Sequence, residues 1–79
     1  MWETGTITVN GKEYKFECKH YEQPSADYGL DGGRISKLAI AEILGETYRY
    51  FYNYDRGLDM DVETPEQAEV LELIKAKFN

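Results

Sequence analysis

One cysteine, one histidine and two prolines occur in 79 residues, and no apolar run approaches the ~18 residues of a membrane-spanning helix. Cys18 has no partner within the chain, so no internal disulfide can staple the fold. No charged-then-apolar leader opens the sequence, and a reducing cytoplasm is the expected setting. Basic clusters are missing as well: no three lysines or arginines are adjacent, and fifteen acids against nine bases give a net charge of −6. Nucleic-acid binders draw most of their affinity from neutralising phosphates, so this balance argues against DNA or RNA as a partner. An acidic chain is better suited to the basic surface of another protein.

What is present organises into a single domain over residues 1–79, close to the smallest size that one apolar core can hold together. TGTITV, Asn10-Gly11 and KEYKFECKHY read as two alternating runs joined by the dipeptide a type I′ turn prefers. That turn pairs Val9 with Lys12, Ile7 with Tyr14 and Gly5 with Phe16. Ile7, Val9, Tyr14, Phe16 and Cys18 then share one face, while Thr6, Thr8, Glu13, Lys15, Glu17 and Lys19 share the other. Residues 22–33 (EQPSADYGLDGG) form a long loop. Residues 34–43 are read as a third strand with Leu38 and Ile40 facing the core, and Gly45-Glu46 turns into a fourth, TYRYFYNYD. In TPEQAEVLELIKAKF, Thr64 is a helix N-cap, Pro65 takes the first helical position and Gln67 completes a capping box. Val70, Leu71, Ile74 and Phe78 supply the apolar stripe, with Ala68 and Leu73 at its margins. The expected fold is α+β: a four-stranded antiparallel meander sheet with one C-terminal helix packed on one face.

Tyr48, Tyr50, Tyr52 and Tyr54 fall at every second position of the fourth strand. Strict alternation offers two sets for the core, and the other set, Thr47, Arg49, Phe51, Asn53 and Asp55, carries an arginine and an aspartate. The tyrosines are therefore assigned to the interior, with an interface or a base-stacking platform as the competing uses of such rings.

No catalytic set emerges. Cys18 and His20 lie two apart on a strand, ~6.5–7 Å at that spacing, too far for a nucleophile–base pair. Asp55, Asp59, Asp61 and Glu63 lack the spacing of a calcium loop, so no metal is expected. Gly29, Gly32 and Gly33 fit neither a P-loop nor a dinucleotide fingerprint, so no cofactor is expected. Asp27 or Asp31 is expected to pair with Arg34 or Arg56 and fasten the loop to the sheet.

The stretches G-x-I-x-V-N-G-x-x-Y, Y-G-L-D-G-G-R-I-S-K-L and Y-D-R-G-L-D together resemble a family of small uncharacterised proteins of gut-type Firmicutes and their phages. The likeness runs from Gly5 to the final helix. Leu58 departs from it, because the family pattern has tryptophan in Y-D-R-G-W-D. The resemblance implies a bacterial or prophage setting and carries no activity.

The functional expectation is a non-enzymatic protein-binding module, meeting a protein partner or a second copy of itself. Its surface is placed on the loop residues Tyr28, Leu30, Asp31 and Arg34 and on Arg56, Leu58 and Asp59 of the turn after the fourth strand, since recognition concentrates in such segments. A nucleic-acid-mimicking inhibitor of a basic host-defence enzyme is one alternative. A single-stranded nucleic-acid binder using the tyrosine stripe is another.

Overall fold

The Asn10-Gly11 turn closes as its chemistry demands, with both residues at positive φ (53° and 78°). It joins β1 (Trp2–Val9) to β2 (Lys12–His20), and the pairing runs in the expected register from Val9↔Lys12 out to Trp2↔Lys19. β3 (Ile35–Leu44) and β4 (Thr47–Asp55) follow, joined through Gly45 at φ 66°. The computed structural model describes all residues, 1–79.

The sheet has five strands in the order β1-β2-β3-β4-β5, not four. Arg56 adopts φ 57°, the Asp55 amide donates to the Gly57 carbonyl (2.9 Å), and the chain reverses into β5 (Leu58–Met60). Leu58 pairs with Tyr54 and Met60 with Asn53. β5 is three exposed residues long, so no burial alternation marks it in the sequence. Leu58 and Asp59 thus belong to an edge strand, not to a turn.

α1 (Pro65–Phe78) crosses one face. Thr64 Oγ1 accepts from the Gln67 amide (3.1 Å), and the Gln67 side chain reaches back to the Glu63 amide (2.7 Å), one residue before the cap. Val70, Leu71 and Ile74 are buried against Val9, Tyr14, Phe16, Cys18, Leu38 and Ile40. Each fully buried side chain of this kind contributes about 1.5–3 kcal/mol. Leu73 stays exposed. Polar latches hold both helix ends. Glu66 accepts hydrogen bonds from the Tyr14 hydroxyl and from the Asn10 side-chain Nδ2 (3.1 Å), with Lys12 Nζ 3.4 Å away. These bonds hold the Glu66 carboxyl below its usual range. At the other end the Asn79 carboxamide accepts from the Ile35 amide and donates to the Leu30 carbonyl, each at 2.9 Å.

β4 corrects the reading of the tyrosine stripe. Ile40 pairs with Tyr52, but Ala41 pairs with Tyr50, so Phe51 is an extra residue in the ladder. Such a bulge shifts the side-chain phase by one position. Phe51 and Tyr52 are buried together, and Phe51 packs edge-on against Tyr14 (5.8 Å between centroids, 82°). Tyr54 packs at the margin of the same core. Tyr48 and Tyr50 stand on the opposite face, 54% and 42% exposed. Two tyrosines are interior and two are not, and Phe51, assigned to solvent by strict alternation, is core.

Candidate functional site

The face that α1 leaves uncovered carries an alternation of rings and ammonium groups. Lys15 Nζ lies 4.3 Å from the centroid of the Tyr48 ring and 6.0 Å from that of Tyr50. Lys19 Nζ lies 5.9 Å from the Trp2 ring and 5.5 Å from that of Tyr21. The Tyr50 hydroxyl donates to Glu17 (2.7 Å), and this bond, followed by desolvation, raises the Tyr50 pKa. Beneath these side chains the small Ala41 is fully buried. Contacts of this kind orient rings at a solvent-facing surface.

Cations also gather at one end of this face. A cavity of about 410 Å³ is lined by Lys19, Lys37, Arg34 and Arg56, with two tyrosines, two serines and Gly29 completing the wall and no carboxylate in the lining. Two backbone irregularities build it. Between β2 and β3 the register shifts, so that Lys19 pairs with Lys37 and His20 with Ile35, leaving Ser36 as the extra residue. The left-handed Arg56 then places its amide on the Ser36 carbonyl (2.9 Å), which brings the end of β4 against that bulge. A left-handed conformation at a residue other than glycine costs about 1–2 kcal/mol. Asp55 flanks the pocket, 3.7 Å from Lys37 Nζ and 3.5 Å from Arg56 Nε. The Lys19 ammonium beside the Tyr21 hydroxyl lowers the Tyr21 pKa.

The loop over residues 21–34 supplies the remaining wall, and it is tightly bonded. Tyr21 N donates to Arg34 O, Ser25 N to Gly33 O and Gly29 N to Ser25 O, at 2.9–3.0 Å. The Tyr54 hydroxyl reaches the Tyr28 carbonyl (3.0 Å). A Cβ at Gly29 would run into the Gly33 and Ser25 carbonyls, and one at Gly33 into the Asn79 side chain. Glycine is required there by close approach.

The seven residues singled out from sequence therefore separate. Tyr28, Arg34 and Arg56 meet in the pocket wall. Leu30 is 7% exposed and belongs to the core, so it is not a surface residue. Asp31 pairs with Lys75 at the helix end, and Arg56 pairs with Asp55, in place of the expected Asp–Arg tie between loop and sheet. Leu58 and Asp59 lie on β5, Leu58 half exposed. Lys19, Lys37 and Ser36 were missed as pocket residues. Lys19 and Lys37 read as ordinary outward positions of strands, and the β2–β3 pairing sets them directly opposite each other, beside the register shift at Ser36.

The two groups with nucleophilic or acid–base potential are packed elsewhere. Cys18 is buried, and burial pushes its thiol up to about 11. The His20 ring stacks on Phe78 (5.3 Å, 26°), with its Nε2 3.6 Å from Glu3. No helix is long and apolar enough to cross a membrane.

A family model described as a domain of unknown function, DUF7678, matches residues 1–79. The chain belongs to that family. No curated protein and no solved structure matches it. The family's description assigns no activity.

Proposed function

We propose that this DUF7678 chain is a non-enzymatic binding module that docks a protein partner on the open face of its sheet. One observation carries the reading. Trp2, Tyr21, Tyr48 and Tyr50, each between 42% and 56% exposed, share the face that α1 leaves bare. Aromatic side chains of this kind bring large contact area at low entropic cost and dominate interface energetics. Lys15 and Lys19 beside them give the face ionic handles, and Tyr28, Arg34 and Arg56 extend it at one end. The bacterial or prophage setting implied by the sequence resemblance fits a small module of this kind.

A second reading has its own support in the charge distribution. Residues 57–74 hold six of the fifteen acids and none of the nine bases, leaving nine of each elsewhere. A charge of −6, equal to that of the whole chain, thus lies on β5, the segment after it and α1 as far as Ile74, ahead of the two lysines at the helix end. That ridge suits a nucleic-acid-mimicking inhibitor.

The two readings separate in one experiment, affinity capture from the native host with three forms of the chain. The Trp2→Ala, Tyr48→Ala, Tyr50→Ala triple variant is expected to lose the captured protein at least tenfold. A Glu63→Gln, Glu69→Gln, Glu72→Gln variant is expected to retain it. Loss in the second form alone selects the acidic ridge. Capture unaffected in both removes both surfaces, and capture of single-stranded nucleic acid in place of protein reassigns the rings to base stacking.

A further inference from the structure

The basic pocket makes a demand that the docking face does not answer. Four of the nine bases in the chain, Lys19, Arg34, Lys37 and Arg56, line one cavity, in a protein whose net charge is −6. Asp55 is the one carboxylate in ion-pair contact with any of them, reaching Lys37 and Arg56; Lys19 and Arg34 form no ion pair at all. Like charges gathered in a concavity repel, and low-dielectric walls strengthen the field they project. An arrangement of this kind is stabilised by an anion.

The wall chemistry narrows the class of anion. Arginine presents a planar fork of donors that matches carboxylate and phosphate oxygens, and lysine adds a point charge. The Ser25 hydroxyl and those of Tyr21 and Tyr28 add neutral donors around the same space, while the Ser36 hydroxyl donates to the Lys19 carbonyl (3.4 Å). Three or more donors around a doubly charged head suit a phosphate better than a single carboxylate. The cavity, about 410 Å³, lies in the range of small-molecule sites and exceeds what a bare phosphate fills, so the head group carries a substituent. The only large apolar surfaces in the wall are the Tyr21 and Tyr28 rings, which suit a flat substituent.

The placement is also costly in a way that simple surface charge is not. Ser36 sits on the sheet irregularity at the β2–β3 end that lines the pocket, and Arg56 holds a left-handed backbone. Bulges and strained residues of this type concentrate at binding sites.

We infer that this pocket is a binding site for a phosphate monoester whose phosphate is held by Arg34, Arg56, Lys19 and Lys37 and whose ring lies along Tyr21 and Tyr28. The site stands whether or not the open face takes a protein, because the ligand is a small molecule or a single modified side chain.

Titration of the full ¹⁵N-labelled chain at constant ionic strength tests it. Three probes are used: inorganic phosphate, phosphotyrosine and adenosine monophosphate. Saturable amide shifts are expected at Gly29, Ser36 and Arg56 with all three, and at least one ester should bind tenfold tighter than inorganic phosphate. The tighter ester tells whether the ring comes from a modified side chain or from a nucleotide. The Arg34→Gln, Arg56→Gly double variant should weaken binding at least tenfold, and glycine at position 56 keeps the left-handed turn. The Lys19→Gln, Lys37→Gln pair, on outward strand positions, should weaken it at least threefold, while Lys77→Gln at the helix end leaves it unchanged. Shifts that grow linearly without saturation, that chloride alone reproduces, or that persist unaltered in both double variants overturn the assignment.

Discussion

On the helix side of the sheet Tyr14 and Tyr52 are 1% and 2% exposed, while on the other side Tyr48 and Tyr50 are 54% and 42% exposed. The same residue type thus serves two purposes on one thin layer. Inside, the ring is packed and the hydroxyl is under constraint: burial, then the Glu66 bond, pushes the Tyr14 phenol up, and burial pushes Tyr52 up to about 12. Outside, the rings are held only by a lysine or a neighbouring carboxylate and keep much of their surface in water. Residue identity therefore says little about role here; which side of the ladder a ring occupies decides it.

The sharpest way to break this comparison is to truncate one ring from each side. Tyr52→Ala should cost about 3–5 kcal/mol, the range for deleting a buried aromatic side chain, and should leave so small a domain largely unfolded in chemical denaturation. Tyr48→Ala should lower the stability read from the same denaturation by less than about 1 kcal/mol. Equal losses at the two positions would mean that the faces are not energetically distinct.

A smaller effect is expected where the helix meets the loop. Asn79→Ala leaves the Ile35 amide without its partner and the Leu30 carbonyl with the Gly33 amide alone, at about 1–3 kcal/mol for a part-buried group left unpaired. Hydrogen exchange should show the loss locally, with the Ile35 amide exchanging faster while the β1–β2 hairpin keeps its protection. Uniform acceleration would make the carboxamide part of the global fold.

The smallest effect comes from Glu66 and has a defined sign. Its folded pKa is depressed, with the Tyr14 hydroxyl bond as the largest cause. Its contribution is therefore complete above the ordinary carboxylate value of about 4.3 and is lost as pH falls through the lower folded value. Glu66→Gln should flatten the fall in melting temperature between about pH 5 and pH 2. A wild-type and variant pair with parallel pH profiles would dismiss the latch.

Much of the scaffold was legible because local signals agreed. Asn10-Gly11 sets the hairpin register, and that register sorts apolar from charged residues without further information. Thr64-Pro65 with Gln67 marks the helix start. Phe51 was not legible, because nothing in YRYFYNY distinguishes a regular strand from one with an extra residue. β5 was hidden by its shortness and exposure. The pocket was half legible: Tyr28, Arg34 and Arg56 lie in segments whose composition invites attention, whereas Lys19 and Lys37 converge only through the sheet. The glycine-rich loop carried a real signal with a different cause, since Gly29 and Gly33 make room for carbonyls and for Asn79 rather than for a ligand's phosphates.

The extra residue at Phe51 has one more implication. It divides β4 into two stretches that answer to separate constraints. From Phe51 onward, the Phe51, Tyr52 and Tyr54 side chains are held by the volume of the interior, and changes there are limited by shape. Between Thr47 and Tyr50 the backbone is just as regular but the rings of Tyr48 and Tyr50 project away from that interior, so their chemistry can be exchanged without disturbing the packing a few ångströms away. A single strand thereby acts as a fixed mount with an interchangeable face.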